Sequence, residues 1–434
     1  MSGRGFETKQ LEWRDDVLAE IALPGTTLRV ARGLGSGLAR GASDPPGCFW
    51  ALGDRGPNLK VKVAIRRYGL EALRPLAGRQ GAKVMPCLDI GPALGQLRLE
   101  GDRVSLVRSL PLLGGGGRAL SGLPPPASPH AEHEPIFSTS GEPAGTDPSG
   151  VDSEGIIALA DGSFWIGDEY GPSLLKVGAD GRVTVRWIPA GTEPYFEGSA
   201  YPVGPVLPAI ASARRLNRGF EALALSADEQ WLYVIFQSPL AHPDRAAHES
   251  SRHVRIWKLD SGSGELEAEY LYPLDPPSSF RRDLALGEVE GTDIKISEAI
   301  LLAEDRLLLL ERASASTKFY AVDLLPENIV PAEYRDPETR PTLEQMDDGA
   351  FESAGILAVA KTLLLDTDLA PEICGDLEGA LLFSPRELLL VNDNDFGVEG
   401  VETQFWLVTF DEPIESRFES RRLRTFADSG TVSQ

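Results

Sequence analysis

Apolar and polar positions alternate along this chain in a phrase that recurs. A small or acidic residue precedes Gly or Ala and a short apolar run. A turn follows, and then a second apolar run that ends in polar or charged residues. One copy runs Asp152-Ser153-Glu154-Gly155-Ile156-Ile157, then Phe164-Trp165-Ile166-Gly167-Asp168-Glu169-Tyr170. Another pairs Phe220-Glu221-Ala222-Leu223 with Leu232-Tyr233-Val234-Ile235-Phe236-Gln237. A third pairs Ser297-Glu298-Ala299-Ile300 with Leu308-Leu309-Leu310-Glu311-Arg312, and a fourth Leu377-Glu378-Gly379-Ala380 with Leu389-Leu390-Val391-Asn392-Asp393. A weaker first copy has Ser36-Gly37-Leu38, then Phe49-Trp50-Ala51-Leu52-Gly53-Asp54-Arg55. Short apolar runs bounded by turn residues predict strands.

Alternation around Gly101-Asp102, around Ala179-Asp180-Gly181 and across the Ser-Gly-rich turn after Leu259 predicts hairpins that follow these phrases. Phrase plus hairpin makes four strands, the content of one propeller blade. The chain therefore reads as all-β, a single β-propeller of four-stranded blades over residues 1–434, with its core at about 28–410. Glu154 and Glu221 are 67 residues apart, Glu221 and Glu298 are 77 apart, and Glu298 and Glu378 are 80 apart. Compact propeller repeats run to roughly 40–50 residues, so these blades carry long loops. Ser36 to Glu154 is 118 residues, room for one blade with an insertion or for two. Five repeats are visible, and a sixth is left open. Closure is expected between the first strand after Leu11 and the segment Phe405-Trp406-Leu407-Val408. Residues 114–150, with His130 and His133, and the acidic stretch 326–350 read as surface insertions, the second with room for a short helix. The tail after Ser429 is expected to fray.

Composition narrows the function classes. A net charge of −23 argues against nucleic acid and anionic membranes as partners. A phosphorylated ligand would need a bridging cation or a local basic patch. Three widely spaced cysteines, Cys48, Cys87 and Cys374, fit neither a disulfide framework nor a zinc site. The polar N-terminus lacks the apolar core of a signal peptide, which predicts a cytoplasmic protein, with export from a longer form as the alternative. Oligomeric state is left open.

Innermost propeller strands line the central channel, and four glutamates in one phase suggest a ring there: Glu154, Glu221, Glu298 and Glu378. Asp54, Asp168, Glu169, Gln237, Glu311 and Asp393 end the second strands. Crowded carboxylates repel, and bound cations, arginine partners or raised pKa values relieve them. Hard oxygens without His or Cys suit Ca²⁺, or Mg²⁺, rather than zinc. The expected ligands are Glu154, Glu221, Glu298, Glu378, Asp54 and Asp393. A cation so held polarises a phosphoryl or carbonyl oxygen and activates a water. Asp168, Glu169 and Glu154 are then the expected catalytic groups, and Arg55, Arg312, Tyr170 and Gln237 the substrate contacts. The structural alternative carries equal weight for any one glutamate, which can bond backbone N–H groups and lock neighbouring blades. Arg55 and Arg312 can equally be ion-pair partners. No GxSxG occurs, against a nucleophile-elbow serine hydrolase, and Gly114-Gly115-Gly116-Gly117-Arg118 lacks the Lys-Ser/Thr of a phosphate loop. His130 and His133 sit in a Pro-rich loop without the rigid support that a metal site needs.

At these phrases the chain resembles the phytase-like propeller family, labelled for an esterase-like activity of phytase. The matching residues are Gly150-Val151-Asp152-Ser153-Glu154-Gly155, Gly167-Asp168-Glu169-Tyr170-Gly171-Pro172 and Asn217-Arg218-Gly219-Phe220-Glu221-Ala222-Leu223. Leu310-Glu311-Arg312, Asn392-Asp393-Asn394-Asp395-Phe396-Gly397, Leu52-Gly53-Asp54-Arg55-Gly56-Pro57-Asn58 and Leu120-Ser121-Gly122-Leu123-Pro124 also fit. The resemblance implies a calcium-dependent hydrolase of a small-molecule ester, phosphate esters first. Two alternatives stand beside it: a non-catalytic propeller that binds a ligand or protein around a structural calcium, and a lactonase-like or sugar-oxidising propeller enzyme.

Overall fold

In a computed structural model, residues 4–126 and 134–418 are described, and their main sheets form five blades around one axis. Blade 1 holds Gly37–Ala39, Cys48–Gly53, Ala93–Glu100 and Arg103–Pro111. Blade 2 holds Ser153–Ala158, Phe164–Asp168, Ser173–Val177 and Val183–Pro189, with a parallel fifth strand, Val203–Leu207, on its outer edge. Blade 3 holds Phe220–Leu225, Trp231–Phe236, His253–Asp260 and Leu266–Pro273, and blade 4 holds Lys295–Ala303, Arg306–Arg312, Thr317–Asp323 and Lys361–Asp366. Blade 5 takes Leu377–Ser384, Glu387–Asn392 and Phe405–Phe410 from the end of the chain and Phe6–Gln10 from its start. The first strand of each blade packs on the first strand of the next, and blade 5 returns to blade 1.

The count of five is therefore what the repeats show, and no sixth blade occurs among the described residues. The long first interval is one blade with an insertion between Gly53 and Ala93. It carries the helix Val61–Tyr68, whose buried Val61, Ala64 and Tyr68 stand at helical spacing. They pack on Leu28 and Val30 of an outlying hairpin, Val17–Ala22 with Thr27–Ala31. Closure uses an earlier segment than expected. The pairing strand precedes Leu11: Phe6 faces Phe410 and Gln10 faces Trp406, antiparallel. Leu11 only ends this ladder, its N–H donating to the Phe405 carbonyl at 2.8 Å. The His130 and His133 pair and the tail after Ser429 lie outside the described residues.

The ring of glutamates needs correcting, and the ladders give the reason. Between the first and second strands of blades 2, 3 and 5 one residue is skipped as a β-bulge, and that residue is Glu154, Glu221 or Glu378. In blade 4 the skipped residue is Ser297, while Glu298 pairs in register with Leu310. In blade 1 Ser36 stands just ahead of the first paired residue, Gly37. The bulge position thus reads Ser36, Glu154, Glu221, Ser297, Glu378 around the axis. Glu298 lies one residue out of phase, and a one-residue shift re-aims a side chain. Adjacent bulges come close. A Cβ on Gly155 would stand 2.1 Å from the Glu221 carbonyl oxygen, so blades 2 and 3 meet there only because that residue is glycine.

The 326–350 insertion does run into a short helix, Asp348–Ser353, capped by Asp347, which accepts from the Ala350 N–H at 2.8 Å. It is anchored on blade 3 by a buried network. Arg255 Nε and Nη2 donate to both oxygens of Glu344, at 2.7 and 3.0 Å. Its Nη1 donates to Glu269 at 2.9 Å, and Trp257 Nε1 donates to the same oxygen at 2.8 Å. Removing one partner of such a buried set leaves charge without compensation. Arg255→Ala is expected to cost about 3–5 kcal/mol of stability, read as a lower urea midpoint by far-UV circular dichroism. A change under about 1 kcal/mol would mean that the insertion is held by its apolar contacts alone.

Candidate functional site

The strand ends and bulges converge at one end of the channel. Asp54 ends the second strand of blade 1, while Asp152 and Glu154 flank the start of blade 2. One carboxylate oxygen from each lies within 4.8 Å of the other two, and all three residues are buried. Burial first, and then the neighbouring acids, push Asp54 and Glu154 well above the ordinary carboxyl range. Burial pushes Asp152 up to about 6, against the downward pull of Arg55. Glu169 is raised to about 8, by burial and then by Asp152 and Glu221. Asp393, half-buried beside Asp54, is raised to about 7 by burial and then by Asp395.

Arg55 is the counter-charge of this wall. Its Nη2 lies 2.9 Å from Asp152 Oδ2 and 4.0 Å from Glu169 Oε2, its Nη1 pairs with Glu134, and its side chain is 4% exposed. Nη2 also donates to Asn217 at 2.7 Å, and the guanidinium sits 5.3 Å from the Tyr170 ring centre. Tyr170 is placed in turn by its hydroxyl, which donates to the Gly122 carbonyl at 2.7 Å. Gly122 has to be glycine, since a Cβ there would fall 1.7 Å from the Arg55 carbonyl oxygen. Burial works to raise Glu134, but Arg55 and Lys83 outweigh it and hold this carboxyl below its ordinary value. Even so, Glu169 Oε2, Glu221 Oε2 and Gln237 Oε1 have no hydrogen-bond partner among the described residues, and Asp152 Oδ2 is held only by its ion pair with Arg55.

Other expected residues have structural settings. Asp168 is fully buried and pairs with Arg186; it accepts from Ser173 Oγ at 2.7 Å and from the Asp152 N–H at 2.8 Å. Both its oxygens are occupied, so it positions Asp152 rather than serving as base or ligand. Glu298 spans the channel: its Oε2 accepts from the N–H groups of Leu38 in blade 1 and Ala380 in blade 5, at 3.1 and 3.3 Å. That is the blade-locking role, and it removes Glu298 from the ligand set. Glu311 is turned away between blades 3 and 4, accepting from Tyr272 at 2.5 Å and Lys361 at 2.8 Å. Gln237 donates to Glu221, beside the wall.

The opposite wall is basic. Arg312 pairs with Glu378 and, at 3.2 Å, with Asp376, and donates from Nε to Ser297 Oγ at 2.9 Å. Only 2% of its side chain is exposed, so Arg55 and Arg312 are both ion-pair partners here rather than open clamps for an anion. Glu378, engaged by Arg312 and 3.9 Å from Lys295, stands with this wall and not with Asp54 and Glu154. Lys295, like Asp152 and Glu134, is a residue that sequence reasoning missed. Burial and then Arg312 lower it to about 8, while Glu221 and Glu169 pull the other way. It stands two residues before the blade 4 bulge, where Asp152 stands in blade 2. That register was the available signal. The channel mouth changes sign across its width, acidic on blades 1 to 3 and basic on blade 4.

A family model described as "Phytase-like: Esterase-like activity of phytase" matches residues 31–396. The chain belongs to the phytase-like family. Among relatives of this phytase-like chain is an uncharacterized secreted protein of Arthroderma benhamiae, 28% identical over 243 residues. The match covers 49% of this chain and 44% of that relative, less than half its length. The expectation of a cytoplasmic compartment is not supported: this relative is named a secreted protein, which fits the exported alternative better. Solved structures include a luciferin-regenerating enzyme, 11% identical, with 91% of this chain and 95% of that chain covered at a TM-score of 0.33. The β-propeller domain of Myceliophteria thermophila Cps50 (Swd1) is 10% identical, with 91% and 99% covered at 0.33. A gluconolactonase from Xanthomonas campestris is 12% identical, with 73% and 65% covered at 0.28. These likenesses add nothing to the fold already read from the strands.

The raised carboxyls give a pH dependence of definite sign. A carboxyl whose pKa is higher in the folded state binds protons more tightly there, so its contribution is full below the ordinary carboxyl range and is lost as pH rises. For Asp152 the loss is complete above about 6, and for Glu169 above about 8. In the presence of a chelator, Tm is expected to fall between about pH 5 and pH 8. Each tenfold gain in proton affinity on folding is worth about 1.4 kcal/mol per group. A Tm that rises over this window in differential scanning calorimetry would show that these carboxyls ionise without penalty.

Proposed function

We propose that this chain is a metal-dependent ester hydrolase, with Asp54, Asp152 and Glu154 holding a divalent cation, Ca²⁺ first and Mg²⁺ second. The observation that carries this reading is the close approach of those three carboxylates beside buried oxygens of Glu169, Glu221 and Gln237 that lack hydrogen bonds. All donors are hard oxygens, the chemistry that calcium and magnesium take. When bound, such a cation supplies Lewis acidity to a phosphoryl or carbonyl oxygen and lowers the pKa of a water.

The chain's own residues do the rest. Glu169, at about 8, is matched in proton affinity to a group that accepts a proton near neutral pH. Lys295 on blade 4 and Arg218 on the connection into blade 3 stand within electrostatic reach of Glu169 and place positive charge at the acidic wall, where developing anionic charge is stabilised. Arg55 holds Asp152 and Tyr170 in place. Asp168 acts through the Asp152 N–H as a positioning residue. The substrate is a small-molecule ester, and the phosphate ester is favoured by this basic wall and by the family description. The secreted Arthroderma relative supports an exported setting, where calcium is abundant enough for a site of modest affinity.

The reading in which the propeller only binds a ligand has one observation in its favour: Arg55 already offsets part of the charge on the wall. Turnover separates the two. Hydrolysis of p-nitrophenyl phosphate, p-nitrophenyl acetate or phytate is expected with Ca²⁺ and to be lost with chelator. Glu154→Gln is expected to lower kcat/KM at least 100-fold and to abolish calcium uptake in calorimetry. Glu298→Gln should leave calcium uptake intact and lower Tm. No turnover by a folded, calcium-loaded protein would support the binding reading. Unchanged activity and metal content in Glu154→Gln would place the centre elsewhere.

A further inference from the structure

Outside the channel mouth the molecule carries a cleft of about 690 Å³. Its walls come from four separate parts of the chain: Gln80 of the blade 1 insertion, the connection from blade 2 to blade 3, the loop after the second strand of blade 3, and the 326–350 insertion. These bring Arg214, Arg215, Arg245, Arg340 and His242 to one surface, and the acid among the lining residues is Glu338. In a chain with 65 acidic and 42 basic residues, four arginines line this one cleft with a single lining acid. Glu249 engages Arg245 from outside it, and Arg214 lies within electrostatic reach of Glu169 and Glu134. Long-range repulsion from the acidic surface is screened beyond about 8 Å at physiological salt, so an anion that enters the cleft answers to the nearby guanidiniums.

Hydrogen bonds hold Arg340, Arg245 and Arg214. Arg340 is held through Nη1 alone, which donates to the carbonyls of Pro337 and Thr339 at 2.7 and 2.8 Å. Arg245 is engaged through Nε by Glu249 at 2.6 Å. Arg214 donates from Nη2 to the Tyr170 carbonyl at 2.9 Å, which ties the cleft wall to the residue after Glu169. Clefts of roughly 300–1,000 Å³ take small molecules, and arginine clusters are suited to the oxygens of phosphate.

We propose that this cleft is a phosphate-binding site for a phosphorylated small molecule, gripped by Arg215, Arg245 and Arg340. It goes beyond the hydrolase reading, because phosphate would bind here whether or not the carboxylate centre turns over an ester. The test is isothermal titration calorimetry of the full chain with inorganic phosphate and tripolyphosphate, in chelator so that no cation bridges the anion elsewhere. Both are expected to bind, tripolyphosphate more tightly, with affinity falling at least tenfold between 50 and 500 mM NaCl. Arg215→Ser combined with Arg340→Ser is expected to weaken binding at least tenfold, and the exposed Arg245→Ser severalfold if the double variant fails to fold. Glu154→Gln should bind both probes as the parent does. The proposal is overturned if neither probe binds at millimolar concentration, if acetate binds as tightly as phosphate, or if the arginine variants bind as the parent does.

Discussion

One constraint governs this molecule: several carboxylates share a channel mouth from which water is largely excluded. Charges that water would screen at the surface interact strongly there, and each ionised group also loses its hydration. Asp54, Asp152, Glu154, Glu169 and Glu221 therefore need compensation within a few ångströms. The protein supplies some of it through Arg55, carried on the blade 1 turn and flanked by Glu134 and Tyr170. Some comes from Lys295 and Arg312 across the channel. The rest is left as a raised proton affinity on Asp54, Glu154 and Glu169 and as oxygens without hydrogen bonds. Packing glycines such as Gly122 and Gly155 serve the same end, since they let loops and bulges close over the acids without a gap for water.

Much of the fold is legible in the sequence because strand alternation and hairpin turns are local signals. Each blade announces itself through its own apolar runs, and the acidic residues at the strand ends mark where chemistry gathers. Register is another matter. Apolar alternation in a strand tolerates one inserted residue, and the bulges insert one at the start of most blades. Glu298 and Ser297 are neighbours in sequence, and nothing in the apolar pattern says which of them occupies the bulge. The ladder decides it, and with it whether a carboxylate joins the cluster or spans the channel. Glu134 was illegible for a different reason: it comes from a strand-poor loop and reaches Arg55 across 79 residues. The helix Val61–Tyr68 was hidden by its brevity, two turns being too short for a period to declare itself.

Family membership and site geometry carry different kinds of information. Membership in the phytase-like family accounts for the blades and the recurring acidic phrases. It does not distribute roles among the acids. Pairing distances do that, by separating Asp168, whose oxygens are taken up by Arg186, Ser173 and the Asp152 N–H, from Asp54, Asp152 and Glu154, whose carboxylate oxygens approach one another. The arginine cleft lies outside both descriptions, built from connections that the repeat does not specify.

Glu298 has a mechanical consequence. A ring made from one linear chain has a seam where its last blade meets its first, and here that seam runs between blades 5 and 1. The strand Phe6–Gln10 fastens the outside of blade 5, so that this early strand and Phe405–Phe410 lie in one sheet. Glu298, from blade 4, fastens the inside by gripping Leu38 and Ala380 on either side of the seam. The ring is thus riveted at both radii, and no single blade end is free to start an unzipping that runs from blade to blade. Opening has to break the outer strand and the inner carboxylate together, which makes the five blades one mechanical unit.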